Sequence, residues 1–143
     1  MNRSIASVIL GLLLSVNAAA AELSVTLKPN KGIKGTHSMT FHEDGKVSLL
    51  VYQSASKIID NVVDIEPSQS LALQHLASEV LSEYLFKQSF SELPSHSLKL
   101  AIMLSDDGVT KSVSSHKLNA NAIHLVNQVG RYVPENYRAL IAP

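Results

Sequence analysis

The chain has 143 residues, no cysteine, no tryptophan, and 12 Lys/Arg against 12 Asp/Glu. That length leaves room for one domain with one core. The missing thiols exclude a disulfide framework, thiolate catalysis and cysteine metal sites, and a balanced charge gives no long-range pull toward nucleic acid or anionic lipid.

The first residues read as a targeting segment. Arg3 supplies a positive start and Ile5 to Val16 forms an apolar run. That run is well short of the ~20 residues needed to span a bilayer as a helix. Small residues follow through Ala21. The pattern predicts a signal peptide over residues 1–21, cut after Ala21, and one exported, periplasmic domain over 22–143. No thiol is present to be acylated, so no lipid anchor and no stable membrane insertion are expected once the leader is gone.

Beyond it, "ELSVTLKP" alternates Leu23, Val25 and Leu27 with Ser24, Thr26 and Lys28, which predicts a half-buried strand ended by Pro29. "NKGIKG" reads as a loop. "THSMTFHEDGKVSLLVYQ" predicts a hairpin in which Met39 and Phe41 alternate with Ser38, Thr40 and His42. Its turn is Glu43-Asp44-Gly45-Lys46, and Val47, Leu49 and Val51 line one face of the return strand. "KIIDNVVDIEP" is a weaker strand pattern, because its apolar residues fall in pairs.

Pro67 suits the first turn of a helix, with Glu66 beside its positive end. From there to Phe90, about twenty residues place Leu73, Leu76, Ala77, Val80, Leu81 and Tyr84 on one stripe. Gln74, Ser78, Ser82 and Glu83 fall largely opposite, and Phe86 falls off the stripe. "SLKLAIMLSDDGVTKSVSSH" predicts a second hairpin. Leu98, Leu100, Ile102 and Leu104 share one face, Ala101 and Met103 the other, and Asp106-Asp107-Gly108 makes the turn. Asn119 is a good N-cap for a helix carrying Ala122, Leu125, Val126 and Val129, with Gly130 as its natural C-cap and Pro134 as its stop. The two hairpins echo each other, as a duplicated ββα unit would.

Chemistry is sparse. His37 and His42 are an odd number apart, so one strand would point them to opposite faces. His75, His96, His116 and His124 show no HxH or HxxxH pairing, and zinc needs three or four converging ligands; six scattered surface histidines are expected. Ser114 and Ser115 beside His116 are sequence neighbours on a strand, which is not triad geometry. The acids of "HEDG" and "SDDG" suit turns, and "KPNKGIKG" lacks the spacing of a phosphate loop. No catalytic, metal or cofactor residues are assigned.

The segment "LKLAIMLSDDGVTKSVSSHKLNANAIHLVNQVGRYVP", residues 98–134, resembles the C-terminal periplasmic domain of the TonB and TolA proteins. The matching positions are Asp107, Gly108, Val109, Val113, Ser114, Ser115, Leu118, Ala122, Ile123, Val126 and Pro134. His116 stands where that family usually has glycine, Asn119 where it has aspartate, and the membrane helix and proline-rich spacer are missing. The resemblance implies the fold of this half and binding through a sheet edge, without energy coupling.

The expected architecture is α+β: one antiparallel sheet of about five strands, built from two hairpins and an N-terminal strand, with two amphipathic helices on one face. The expected role is a non-enzymatic interaction module for another cell-envelope protein. The alternative is a small enzyme or ligand binder, which requires at least two of the histidines to converge with a carboxylate.

Overall fold

The computed structural model describes residues 21–29, 36–53, 56–86, 93, 95–133 and 135. Strands β1 (Glu22–Pro29), β2 (Thr36–His42), β3 (Lys46–Gln53) and β4 (Ser56–Asp64) precede helix α1 (Pro67–Phe86). Strands β5 (Ser95–Asp106) and β6 (Val109–Lys117) then lead to helix α2 (Ala120–Gly130). All six strands form one antiparallel sheet in the order β4-β3-β2-β1-β5-β6. The fold is α+β, with six strands where about five were expected. The addition is "SKIIDNVVD", and it explains its own weak pattern. It lies at the edge of the sheet with almost every residue exposed, so no buried face imposes a period of two.

The inner face of the sheet is dictated by alternation. Leu23, Val25 and Leu27 of β1, Met39 and Phe41 of β2, Val47, Leu49 and Val51 of β3, and Leu98, Leu100 and Ile102 of β5 are all buried in one core. The helices cover it with Leu73, Ala77, Val80 and Leu81 from α1 and Ala122, Leu125, Val126 and Val129 from α2. Phe41 meets Tyr132 edge to face, with ring centroids 5.5 Å apart.

α1 carries the chain from the outermost strand, β4, across to β5 on the far side of β1, and both of its ends are tied down. At the start, Gln69 reaches back with its carboxamide oxygen to the Glu66 N–H (3.2 Å), the glutamine half of a capping box. The Ser70 hydroxyl donates to the His42 carbonyl (2.7 Å). Gln74 is buried rather than solvent-facing, because its Nε2 donates to the Ala21 carbonyl at 3.2 Å. α2 begins as expected, with Asn119 Oδ1 accepting from the Ala122 N–H at 2.9 Å. It ends differently: Gly130 is the last helical residue, and Arg131 follows in right-handed geometry, so no left-handed glycine cap forms. The segment after Phe86 and Pro134 lie outside the described residues.

The two hairpins resemble each other only in sequence. β3 continues into β4 before its helix, whereas β6 leads straight into α2. The Asp107-Gly108 turn has positive φ at both residues (51° and 75°), the two-residue turn that matches strand twist, and it stands in open space. Gly45 also has positive φ (93°), but it is buried: its carbonyl accepts from the Ile65 N–H at 2.8 Å. A Cβ on Gly45 would collide with the Ile65 carbonyl oxygen. Gly45→Ala is therefore expected to cost about 3 kcal/mol or more, from collision added to backbone strain. Gly108→Ala should cost only about 1 kcal/mol, from strain alone. Chemical denaturation of the two variants checks this; equal losses would contradict it.

Candidate functional site

The histidines disperse as far as the structure describes them. His37 is fully buried on the inner face of β2, beside Met39, and not at the surface where the sequence suggests. His42 points to the outer face, its Nδ1 3.8 Å from Glu22 Oε2. His116 is exposed on β6, and the side chain of His96 lies outside the described residues. His75 of α1 and His124 of α2 are both exposed and line one open groove between the helices, of about 510 Å³, with Gln69, Glu79, Gln128 and Arg131. Among the described residues no three His, Asp or Glu side chains are grouped to hold a metal ion. Nor does a hydrogen bond join His75, Glu79 and His124.

The remaining sequence candidates have local roles. The Ser115 hydroxyl is occupied by its own turn, 2.9 Å from the Lys117 N–H and 3.1 Å from the Lys117 carbonyl, and makes no hydrogen bond to His116. Asp44 accepts from the Lys46 N–H at 3.0 Å, the turn-closing role expected of it. Glu43 Oε2 accepts from the Ala21 N–H at 3.0 Å, and the Glu43 N–H donates to the Ala21 carbonyl at 3.1 Å. Ala21 is thus already part of the fold. The loop 30–35 lies outside the described residues.

The densest polar cluster joins the last turns of α1 to the β6–α2 junction. The Tyr84 hydroxyl donates to the Lys117 carbonyl (2.6 Å) and accepts from the Asn119 N–H (3.0 Å). Glu83 accepts from the carboxamides of Asn119 (3.4 Å) and Asn121 (2.6 Å). Glu83 also lies near the positive end of α2, where a carboxylate is favoured. Every member is engaged with a neighbour, so this cluster is a clasp rather than a reactive centre. Burial pushes the Tyr84 phenol above its ordinary value of 10.0; the Asn119 N–H opposes this, and the charge of Glu83 adds to it.

The other prominent features are at the margins of the sheet. The outer face carries short hydroxyl side chains in cross-strand pairs, Ser24 with Thr40 and Thr26 with Ser38. At its two edges lie β4 and β6. β4 exposes Ile58, Val62 (64%) and Val63; β6 exposes Val109, and Met103 of β5 stands exposed beside it. Phe86, off the α1 stripe, is 73% exposed. No protein-family model matches the chain, and no curated protein matches it.

Sequence patterns gave the apolar stripes but hid the clasp. Tyr84 reads as one more stripe residue and Glu83 as a solvent-facing acid, because their partners lie more than 30 residues away. The only available signal was a polar pair at a helix end beside an Asn-x-Asn helix start.

Tyr84→Phe leaves the Lys117 carbonyl and the Asn119 N–H without this partner and should cost about 1–3 kcal/mol. The raised phenol fixes the pH dependence. The contribution is complete below the ordinary value of 10.0 and is lost as pH rises through the folded-state value. Melting curves from neutral to alkaline pH check both points: wild type should lose stability above pH 10 more steeply than the phenylalanine variant.

Proposed function

We propose that this chain is an exported, periplasmic, non-enzymatic interaction module, whose β5–β6–α2 half serves as a TonB/TolA-like domain. It binds an extended segment of another cell-envelope protein along the free edge of β6. The supporting observation is the position of β6, which ends the sheet with most of its residues exposed. An added strand gains main-chain hydrogen bonds along such an edge, while side chains on alternate positions select the partner. Met103 and Val109 offer exposed apolar contact there. β6 also carries Lys111, His116 and Lys117 and no acid, which favours an acidic partner segment. The lysines guard the edge against indiscriminate pairing.

Export rests on residues 1–21. Cleavage after Ala20 instead of Ala21 would retain the amide and carbonyl that Glu43 and Gln74 hold, and would convert the Ala21 amide into an α-ammonium facing the Glu43 carboxylate. Intact mass of the periplasmic protein distinguishes the two ends.

The test is affinity capture from periplasm with wild type, a Ser112→Asp/Ser114→Asp double variant on β6, and Val62→Asp on β4. A partner held by wild type and Val62→Asp but lost by the β6 variant is expected. Equal recovery with all three, or a metabolite or metal co-purifying stoichiometrically with no protein, would contradict the reading. The latter result would point to the groove between His75 and His124.

A further inference from the structure

We propose that β4 pairs with β4 of a second copy of this chain, antiparallel across a two-fold axis at Asn61, joining two six-stranded sheets edge to edge. The inference concerns the edge opposite β6 and does not depend on the reading of β6.

β4 is the outermost strand, and its exposed apolar side chains point to both faces: Val62 outward at 64%, Val63 toward the helix side at 40%. A long edge strand with such side chains is a template for another strand. The opposite edge differs in charge. β6 carries only cations, so two copies of it would bring positive charge to positive charge, whereas β4 carries Lys57, Asp60 and Asp64.

Geometry restricts the register. Residues that face each other across an antiparallel pair project to the same face. Two identical strands can therefore pair only in registers centred on a residue. Three such registers overlap over most of β4. Centred on Asp60, the strand sets Asp60 against the partner's Asp60. Centred on Val62, it sets Asp60 against the partner's Asp64, twice. Like charges directly opposite are destabilising.

Centred on Asn61, no such clash arises. Asn61 meets the partner's Asn61, and two carboxamides can each donate to and accept from the other. Ile59 meets the partner's Val63, and Asp60 meets the partner's Val62. The bulge completes the match. β4 slips by one residue against β3, with Ile59 opposite Val51 but Lys57 opposite Tyr52. Lys57 therefore shares the outer face with Asp60, Val62 and Asp64, and beyond the bulge it lies opposite the partner's Asp64. Within one copy Lys57 is already 3.3 Å from Asp60, and Lys46 is 3.8 Å from Asp64. The joined strands would thus alternate positive and negative along the outer face.

The absence of cysteine makes the register directly readable. In Asn61→Cys the two thiols would face each other, with Cα atoms ~5 Å apart, within disulfide reach. In Asp64→Cys they would be roughly 20 Å apart. Mild oxidation should convert Asn61→Cys to a covalent dimer and leave Asp64→Cys uncrosslinked. Without any thiol, sedimentation equilibrium should show a wild-type dimer. Val62→Asp, which sets an acid against the partner's Asp60 on both sides of the axis, should raise its dissociation constant at least ~10-fold. Its circular dichroism and melting as a monomer should remain those of a folded chain. A wild-type monomer up to millimolar concentration, open-ended assembly beyond the dimer, equal cross-linking at both positions, or an undiminished Val62→Asp dimer would each overturn the proposal.

Discussion

Two helices are too narrow for six strands, and much of this structure follows from that mismatch. Packed helices lie about 8–10 Å apart, whereas neighbouring strands are separated by about 4.8 Å, so a pair of helices shields roughly four strands. The buried residues follow that limit: β1, β2, β3 and β5 each supply three or more core side chains, while β4 and β6 supply only the partly buried Ile59 and Val113. The outer strands overhang. Their exposure is set by the helix count and not by any particular residue, and the choice left to the sequence is what to place on them.

With no disulfide available, the helix layer is held by packing and by polar ties at its ends. The start of α1 is fixed to the β2–β3 turn and to Ala21 through Ser70, Gln74 and the Gly45–Ile65 contact. Its last turns are fixed to the β6–α2 junction through Glu83 and Tyr84. These ties attach to backbone groups that would otherwise be left without partners at strand ends and helix starts, where a lost hydrogen bond is costly. The result is a rigid centre with two accessible margins, a division suited to a module whose edges meet other chains.

How far the fold is legible in the residues depends on burial. β1, β2, β3 and β5 announce themselves because one face of each enters the core, and α2 because its stripe of Ala122, Leu125, Val126 and Val129 is buried throughout. β4 blurs because nothing covers either of its faces, so Ile58-Ile59 and Val62-Val63 have no alternation to obey. Gln74 and His37 were misjudged for a related reason. A polar side chain enters the interior when a distant group receives it or the strand's alternation demands it, and for Gln74 that group is a carbonyl 53 positions away. The margins carry no motif at all. Their meaning appears only once strand order places β4 and β6 at opposite edges.

That placement gives the two margins different chemistry: β4 carries both signs of charge in a self-matching order, and β6 carries cations alone. Amide hydrogen exchange across a range of protein concentrations addresses the underlying claim most directly. The account predicts that β1, β2 and β5 stay protected at every concentration, while protection of β4 rises as the protein is concentrated and β6 stays fast-exchanging until an acidic partner is added. Protection of β4 that is independent of concentration, or β6 as slow as the central strands in the isolated protein, would contradict it.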